Sequence, residues 1–136
     1  MKERDITEII VHCSATIEGK DFNAKDINQW HTANGWAGIG YHYVVKIDGT
    51  VEKGRDVRKI GAHCYGHNKH SVGVCYIGGL DAEENPKDTR TQAQKDSLWN
   101  LVNMLKIKYP KAKVYGHRDF SKKACPCFDA KLEYNS

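Results

Sequence analysis

Three residues stand where a metal-dependent reaction would need them. His12 closes the apolar run Ile9-Ile10-Val11, His117 follows Lys113-Val114-Tyr115-Gly116, and Cys125 comes eight residues later in an irregular stretch. Both histidines sit at the ends of strand-like segments, and the ends of adjacent strands bring side chains together. Two imidazoles and one thiolate suit zinc, a borderline-soft ion that binds nitrogen and sulfur strongly. Three protein ligands leave the fourth position for water, which separates a catalytic site from a closed structural one. Alternation along the first strand turns Cys13 away from the side that His12 faces, so the neighbouring pair does not supply two ligands.

The segment Lys122-Lys123-Ala124-Cys125-Pro126-Cys127 adds to this set. Pro126 biases Cys125 toward an extended backbone, in which Lys123 and Cys125 share a side. An ammonium there would stabilise negative charge growing on a substrate carbonyl; the plainer reading is a solvated lysine in a basic stretch. Extension also puts Cys127 on that side, where it would complete a closed, structural site. Tyr41, after Gly38-Ile39-Gly40, offers a phenol that can donate to a carbonyl oxygen or orient a water, or simply pack a strand edge. His42, on the opposite face, reads as a satisfied core histidine. His63, His67 and His70 share a loop that admits either groove lining or solvent exposure.

The elements that must position these groups follow from patterning. Ile6 to Cys13 reads as a central strand covered on both faces. Asn23 and Asp26 start a short helix carrying Ile27, Trp30 and His31, which Gly35 stops. Tyr41 to Ile47 and Thr50 to Lys53 form a hairpin around Asp48-Gly49, a type I′ signal. Ser71 to Ile77 is a second buried strand closed by Gly78-Gly79. Thr91 to Gln94 matches a capping box, and Leu98, Leu101, Val102 and Leu105 make one apolar stripe before Pro110. Lys113 to Tyr115 is a last strand, and the tail from Gly116 reads as irregular. Interleaved strands and helices with one tight hairpin predict an α/β (α+β) fold: one domain over 1–136, a central mixed sheet of about five strands, and flanking helices.

Composition agrees. The 136 residues suit one domain, with 40% hydrophobic and 28% charged residues excluding wholesale disorder. A net charge of +4 is mild and lacks the concentrated basic patch of a nucleic-acid binder. Five cysteines cannot all pair, so a disulfide framework is not expected; Cys13, Cys64 and Cys75 read as reduced core thiols. The opening residues lack the roughly 7–15 apolar residues of a signal peptide, and no run nears the roughly 18 of a membrane span. Synthesis in the cytosol without a signal peptide and no membrane insertion are the expectations.

Read together, these stretches resemble the zinc-dependent N-acetylmuramoyl-L-alanine amidase family, which includes the amidase-type lysozymes of short-tailed coliphages and the peptidoglycan recognition proteins. The resemblance rests on Val11-His12-Cys13-Ser14-Ala15-Thr16, Gly40-Tyr41-His42-Tyr43, Asp48-Gly49-Thr50-Val51-Glu52 with Gly54-Arg55, Ser71-Val72-Gly73-Val74-Cys75 with Gly78-Gly79, His117, and Lys123-Ala124-Cys125-Pro126 with Phe128-Asp129. Trp30-His31 and Gly35-Trp36 place it nearer the phage branch. The resemblance implies one Zn2+ ion held by His12, His117 and Cys125, with Tyr41 and Lys123 assisting catalysis and His63 lining the substrate groove. Cys127 departs from the small hydroxyl or Gly usual there, and adds an oxidation-prone thiol beside the site. The implied activity is cleavage of the amide between N-acetylmuramic acid and L-alanine in peptidoglycan, by a monomer that acts on the wall after release from the cytosol. A phage or prophage endolysin is the economical reading, and a secreted effector without a signal its rival. A non-hydrolytic peptidoglycan-binding module is the alternative function, although the residue at the Cys125 position is typically lost in such members.

Overall fold

A computed structural model describes residues 4–135; Met1 to Glu3, on which the reading of the N-terminus partly falls, lie outside the described residues. In chain order the elements are β1 (Glu8–Cys13), β2 (Thr16–Ile17), α1 (Ala24–Ala33), β3 (Tyr43–Val45), β4 (Val51–Lys53), β5 (Ser71–Tyr76), β6 (Gly79–Leu80), α2 (Gln92–Lys108), β7 (Lys113–Gly116) and α3 (Ala130–Tyr134). Five strands form one mixed sheet in the order β4-β3-β5-β1-β7, and β2 pairs with β6 in a separate two-stranded ribbon.

The unbroken apolar triplet of β1 has its expected cause: Ile9, Ile10 and Val11 are fully buried, because β1 lies between two parallel neighbours with both sheet faces covered. One face packs Ile9, Val11, Val72, Val74 and Tyr76 against the stripe Leu98, Leu101, Val102 and Leu105 of α2. The other face gathers Val44, Cys75 and Ile77 under Ile27 of α1. Both long helices start with the reciprocal caps read from sequence, Asn23 with Asp26 and Thr91 with Gln94. Gln94 is wholly buried, and its Nε2 also donates to Ile77 O at 2.9 Å, tying the start of α2 to the end of β5.

Two local expectations are corrected. The β3–β4 hairpin forms, but not through a type I′ turn: of its turn residues only Gly49 has positive φ, and Lys46 O accepts from Gly49 N while Lys46 N donates to Thr50 O. That is a three-residue connection with a left-handed glycine, seated against the first turn of α2 through Ser97 Oγ donating to Gly49 O at 2.6 Å. The tail is not irregular throughout. After a 3-10 turn at His117–Asp119, α3 forms behind the Asp129 cap. Its five residues are too few for intrinsic helicity; Lys106 Nζ donating to Tyr134 O, and Arg90 pairing with Glu133, hold it. Among the described residues no helix is long and apolar enough to cross a membrane.

Candidate active site

The parallel pairing of β1 with β7 sets Val11 opposite Gly116. The next residue on each strand is a histidine, so His12 and His117 become neighbours at the carboxyl ends of two adjacent strands, with ring centroids 4.6 Å apart. The loop after His117 returns Cys125 to the same place. Four contacts hold that loop: Tyr76 Oη donates to Pro126 O at 2.7 Å, Arg118 N to Cys125 O at 2.7 Å, Cys13 N to Cys125 Sγ at 3.1 Å, and Pro126 lies on Gly116. A Cβ at position 116 would come within 2.8 Å of Pro126 Cδ, so the glycine is what lets the loop approach. One nitrogen from each of His12 and His117 and the Cys125 sulfur all lie within 4.8 Å of one another.

Electrostatics suit this donor set to a metal cation. His12 is 1% exposed, and its pKa is held well below 6.5, first by burial and then by the neighbouring His63, His117 and Lys123. His117 is shifted the same way, by burial and then by the Lys123 ammonium. Both rings are therefore neutral at physiological pH, the form in which an imidazole offers a lone pair. Tyr41 lies against His12 with centroids 5.1 Å apart, and burial raises its pKa well above 10, keeping the phenol a proton donor. Lys123 is exposed, at the mouth rather than the floor of the site.

The other candidates separate. Cys127 has a left-handed backbone, φ 71°, which breaks the extended run. Its Sγ turns to Gly79 O at 3.3 Å, and burial pushes its thiol up to about 11. It does not join the metal-type donor group, so the closed-site arrangement loses its geometric basis. His42 is a satisfied core residue: Nδ1 accepts from Gly73 N at 3.0 Å and Nε2 lies 2.8 Å from Lys59 O. His67 stacks on Phe120 and pairs with Glu8, while His70 bonds to Asp5 O. His63 is only 8% exposed and lies against His12, with Nδ1 2.8 Å from His12 Nε2 and Nε2 3.2 Å from Ser71 Oγ. Sequence reasoning missed Tyr76 and Ser71, which look like ordinary strand residues, and His31. The His31 ring packs on both Tyr41 and the exposed Trp36, and its Nδ1 accepts from Gly40 N at 2.9 Å.

An open three-donor set with a phenol and an ammonium beside it, at the carboxyl edge of a mixed sheet, is the kind of site that metallohydrolases build. Residues 2–128 match the N-acetylmuramoyl-L-alanine amidase family. An endolysin of Klebsiella phage KP32 is 45% identical over 130 residues, covering 96% of this chain and 86% of that protein. The endolysin of Escherichia phage T7 is 44% identical over 131 residues, covering 96% and 87%. Among solved structures, the N-acetylmuramoyl-L-alanine amidase LysC from Clostridium intestinale superposes with a TM-score of 0.80 at 28% identity, covering 96% of this chain and 82% of that one. The chain belongs to the N-acetylmuramoyl-L-alanine amidase family. Its reaction is hydrolysis of the amide that joins the stem peptide of peptidoglycan to N-acetylmuramic acid.

Proposed function

We propose that this chain is a zinc-dependent phage or prophage endolysin, a single catalytic domain over 1–136 whose metal ligands are His12, His117 and Cys125. The observation that carries the reading is the convergence of two neutral imidazoles and a thiol within 4.8 Å, reached from two strand ends and a loop. The donor types fit zinc, and no fourth protein donor joins them among the described residues. Zinc at such a site supplies Lewis acidity, enough to bring the pKa of a water toward about 7.

The remaining work falls to side chains of this protein. Tyr41, protonated and beside His12, donates a hydrogen bond to the scissile carbonyl oxygen or orients the attacking water. Lys123, exposed at the mouth, stabilises the oxyanion as the amide carbon becomes tetrahedral. His12 and His117 stay neutral because burial and the Lys123 charge oppose their protonation. Peptidoglycan is the partner, met after the protein is released to the wall. The likeness to phage endolysins supports that route.

The test is release of free stem peptide from purified walls by the metal-loaded protein, by Lys123→Ala and by metal-stripped protein. Full activity is expected in the first alone, with release lowered on the order of a hundredfold in Lys123→Ala and lost in the stripped protein. Full activity in either of the others overturns the assignment, and binding to walls with no release in any of them would make the chain a binding module.

A further inference from the structure

We propose that His63 is a positioning residue that fixes the tautomer of His12: it accepts the His12 Nε2–H and so leaves Nδ1 as the lone-pair nitrogen facing His117 and Cys125. The proposal rests on the zinc-site reading above and extends it to a residue outside the donor set.

The two rings meet edge to face, 89° apart, with His12 Nε2 and His63 Nδ1 2.8 Å from each other. Both are buried, so water does not compete for this contact. A hydrogen bond between two neutral imidazoles has room for one proton. Placed on His63 Nδ1, it would force the His12 proton onto Nδ1, where it would block the one ring nitrogen that His63 does not already engage. Placed on His12 Nε2, it frees Nδ1, and neutral His63 then carries its own proton on Nε2. That nitrogen has a hydroxyl acceptor waiting, Ser71 Oγ at 3.2 Å. The direction His12 to His63 to Ser71 is therefore the only one that satisfies every group and leaves a lone pair for the metal.

The fold gives up something for this ring. Gly73 lies in the middle of the fully buried strand β5, where a glycine weakens a strand and no positive φ calls for one. A Cβ there would come within 2.7 Å of His63 Cγ and Cδ2 and 2.9 Å of Nδ1. Gly61 is confined partly by the same ring, its Cβ position lying 2.7 Å from His63 Cδ2, and also by Gly40 O at 2.8 Å and His42 Cε1 at 2.9 Å. Gly73 thus clears a slot for the imidazole that Gly61 helps to bound, and in that slot the ring meets His12. A residue that only lined a substrate groove would need no such enclosure.

Two nearly isosteric variants separate the acceptor from the packing. His63→Asn keeps an acceptor oxygen near the Nδ1 position, whereas His63→Leu fills similar space without one. Zinc affinity of the stripped proteins is measured by competition with a chromogenic chelator, with no wall substrate present. His63→Leu is expected to bind zinc about 10–100-fold more weakly than wild type, the usual cost of losing an outer partner of a metal-binding histidine. His63→Asn is expected to recover most of that loss. Equal affinity of His63→Leu and wild type, or equal losses in both variants, overturns the proposal. Should His63→Leu fail to fold, long-range proton–nitrogen NMR of the zinc-loaded wild type decides: a proton on His12 Nε2 and none on His63 Nδ1 is expected, and the reverse is fatal. If wild type takes up no zinc in the same titration, the metal-site reading itself falls and takes this one with it.

Discussion

The site has two walls of different construction. One is made by strands: His12 on β1, with Tyr41 and His63 beside it, is buried, ring-packed and neutral. The other is made by the loop over 117–128, where His117 and Cys125 are half-buried and Lys123 is exposed. The strand wall draws its precision from register and from glycines that admit large rings. The loop wall draws it from a few backbone hydrogen bonds and from one buried tyrosine, Tyr76, reaching across to Pro126. Dehydrated, ring-packed groups thus sit on the strand side, and the Lys123 charge sits on the accessible side.

The largest expected effect comes from removing a donor on either wall. His12→Ala and Cys125→Ala should each bring stem-peptide release down to the level of the metal-stripped protein, and zinc analysis of the purified variants checks the cause. Retention of stoichiometric zinc in Cys125→Ala would mean that a thiol outside the proposed set serves as ligand. Next is Lys123→Ala, expected to lower turnover on the order of a hundredfold without loss of bound zinc, because the lysine is not among the metal-type donors. A parallel loss of bound zinc would move Lys123 from the chemistry to the scaffold.

Smaller effects probe the scaffolds themselves. Tyr76→Phe strips the buried Pro126 carbonyl of its donor and should cost about 1–3 kcal/mol of stability, read by denaturant unfolding. Zinc binding should weaken with it, since the same carbonyl anchors the turn that carries Cys125; a change in stability alone would show that the loop wall is held by its other contacts. The last effect is in pH and belongs to the scaffold as a whole. Burial lowers His42 to about 4 and His63 to about 3, against an ordinary value of 6.5. Below pH 6.5 the unfolded chain takes up protons that the folded chain refuses, so stability falls as pH drops from about 6.5 toward those values and is unaffected by them above. Thermal melts of the stripped protein between pH 7.5 and 4.5 should show this fall, and a flat profile would contradict the neutral, dehydrated strand wall.

The strand wall was the more legible of the two in sequence. An apolar triplet ending in histidine specifies a covered strand and a polar group at its end, and both are found. The loop wall was read through alternation, which applies only where the backbone stays extended. It failed at Cys127, whose left-handed conformation sends the sulfur to Gly79. Helix α3 was missed because nothing in five residues announces it, and its partners Lys106 and Arg90 are remote in sequence. The type I′ reading of Asp48-Gly49 failed because packing of the turn against α2 selected another geometry. His63 was placed in the right neighbourhood by resemblance, but its enclosure by Gly61 and Gly73 is a tertiary fact without a local signal.

The 112-residue separation between Cys13 and Cys125, which touch in the folded protein, has a consequence for synthesis. His12 emerges from the ribosome on a strand whose two neighbours do not yet exist, and β7 and the loop beyond it follow only after β5 and α2. The proposed donor set cannot be complete on a nascent chain until Cys125 has cleared the exit tunnel, so the site is inert up to that point in translation. A product truncated ahead of Cys125 would retain β1 through β7 and lack the site.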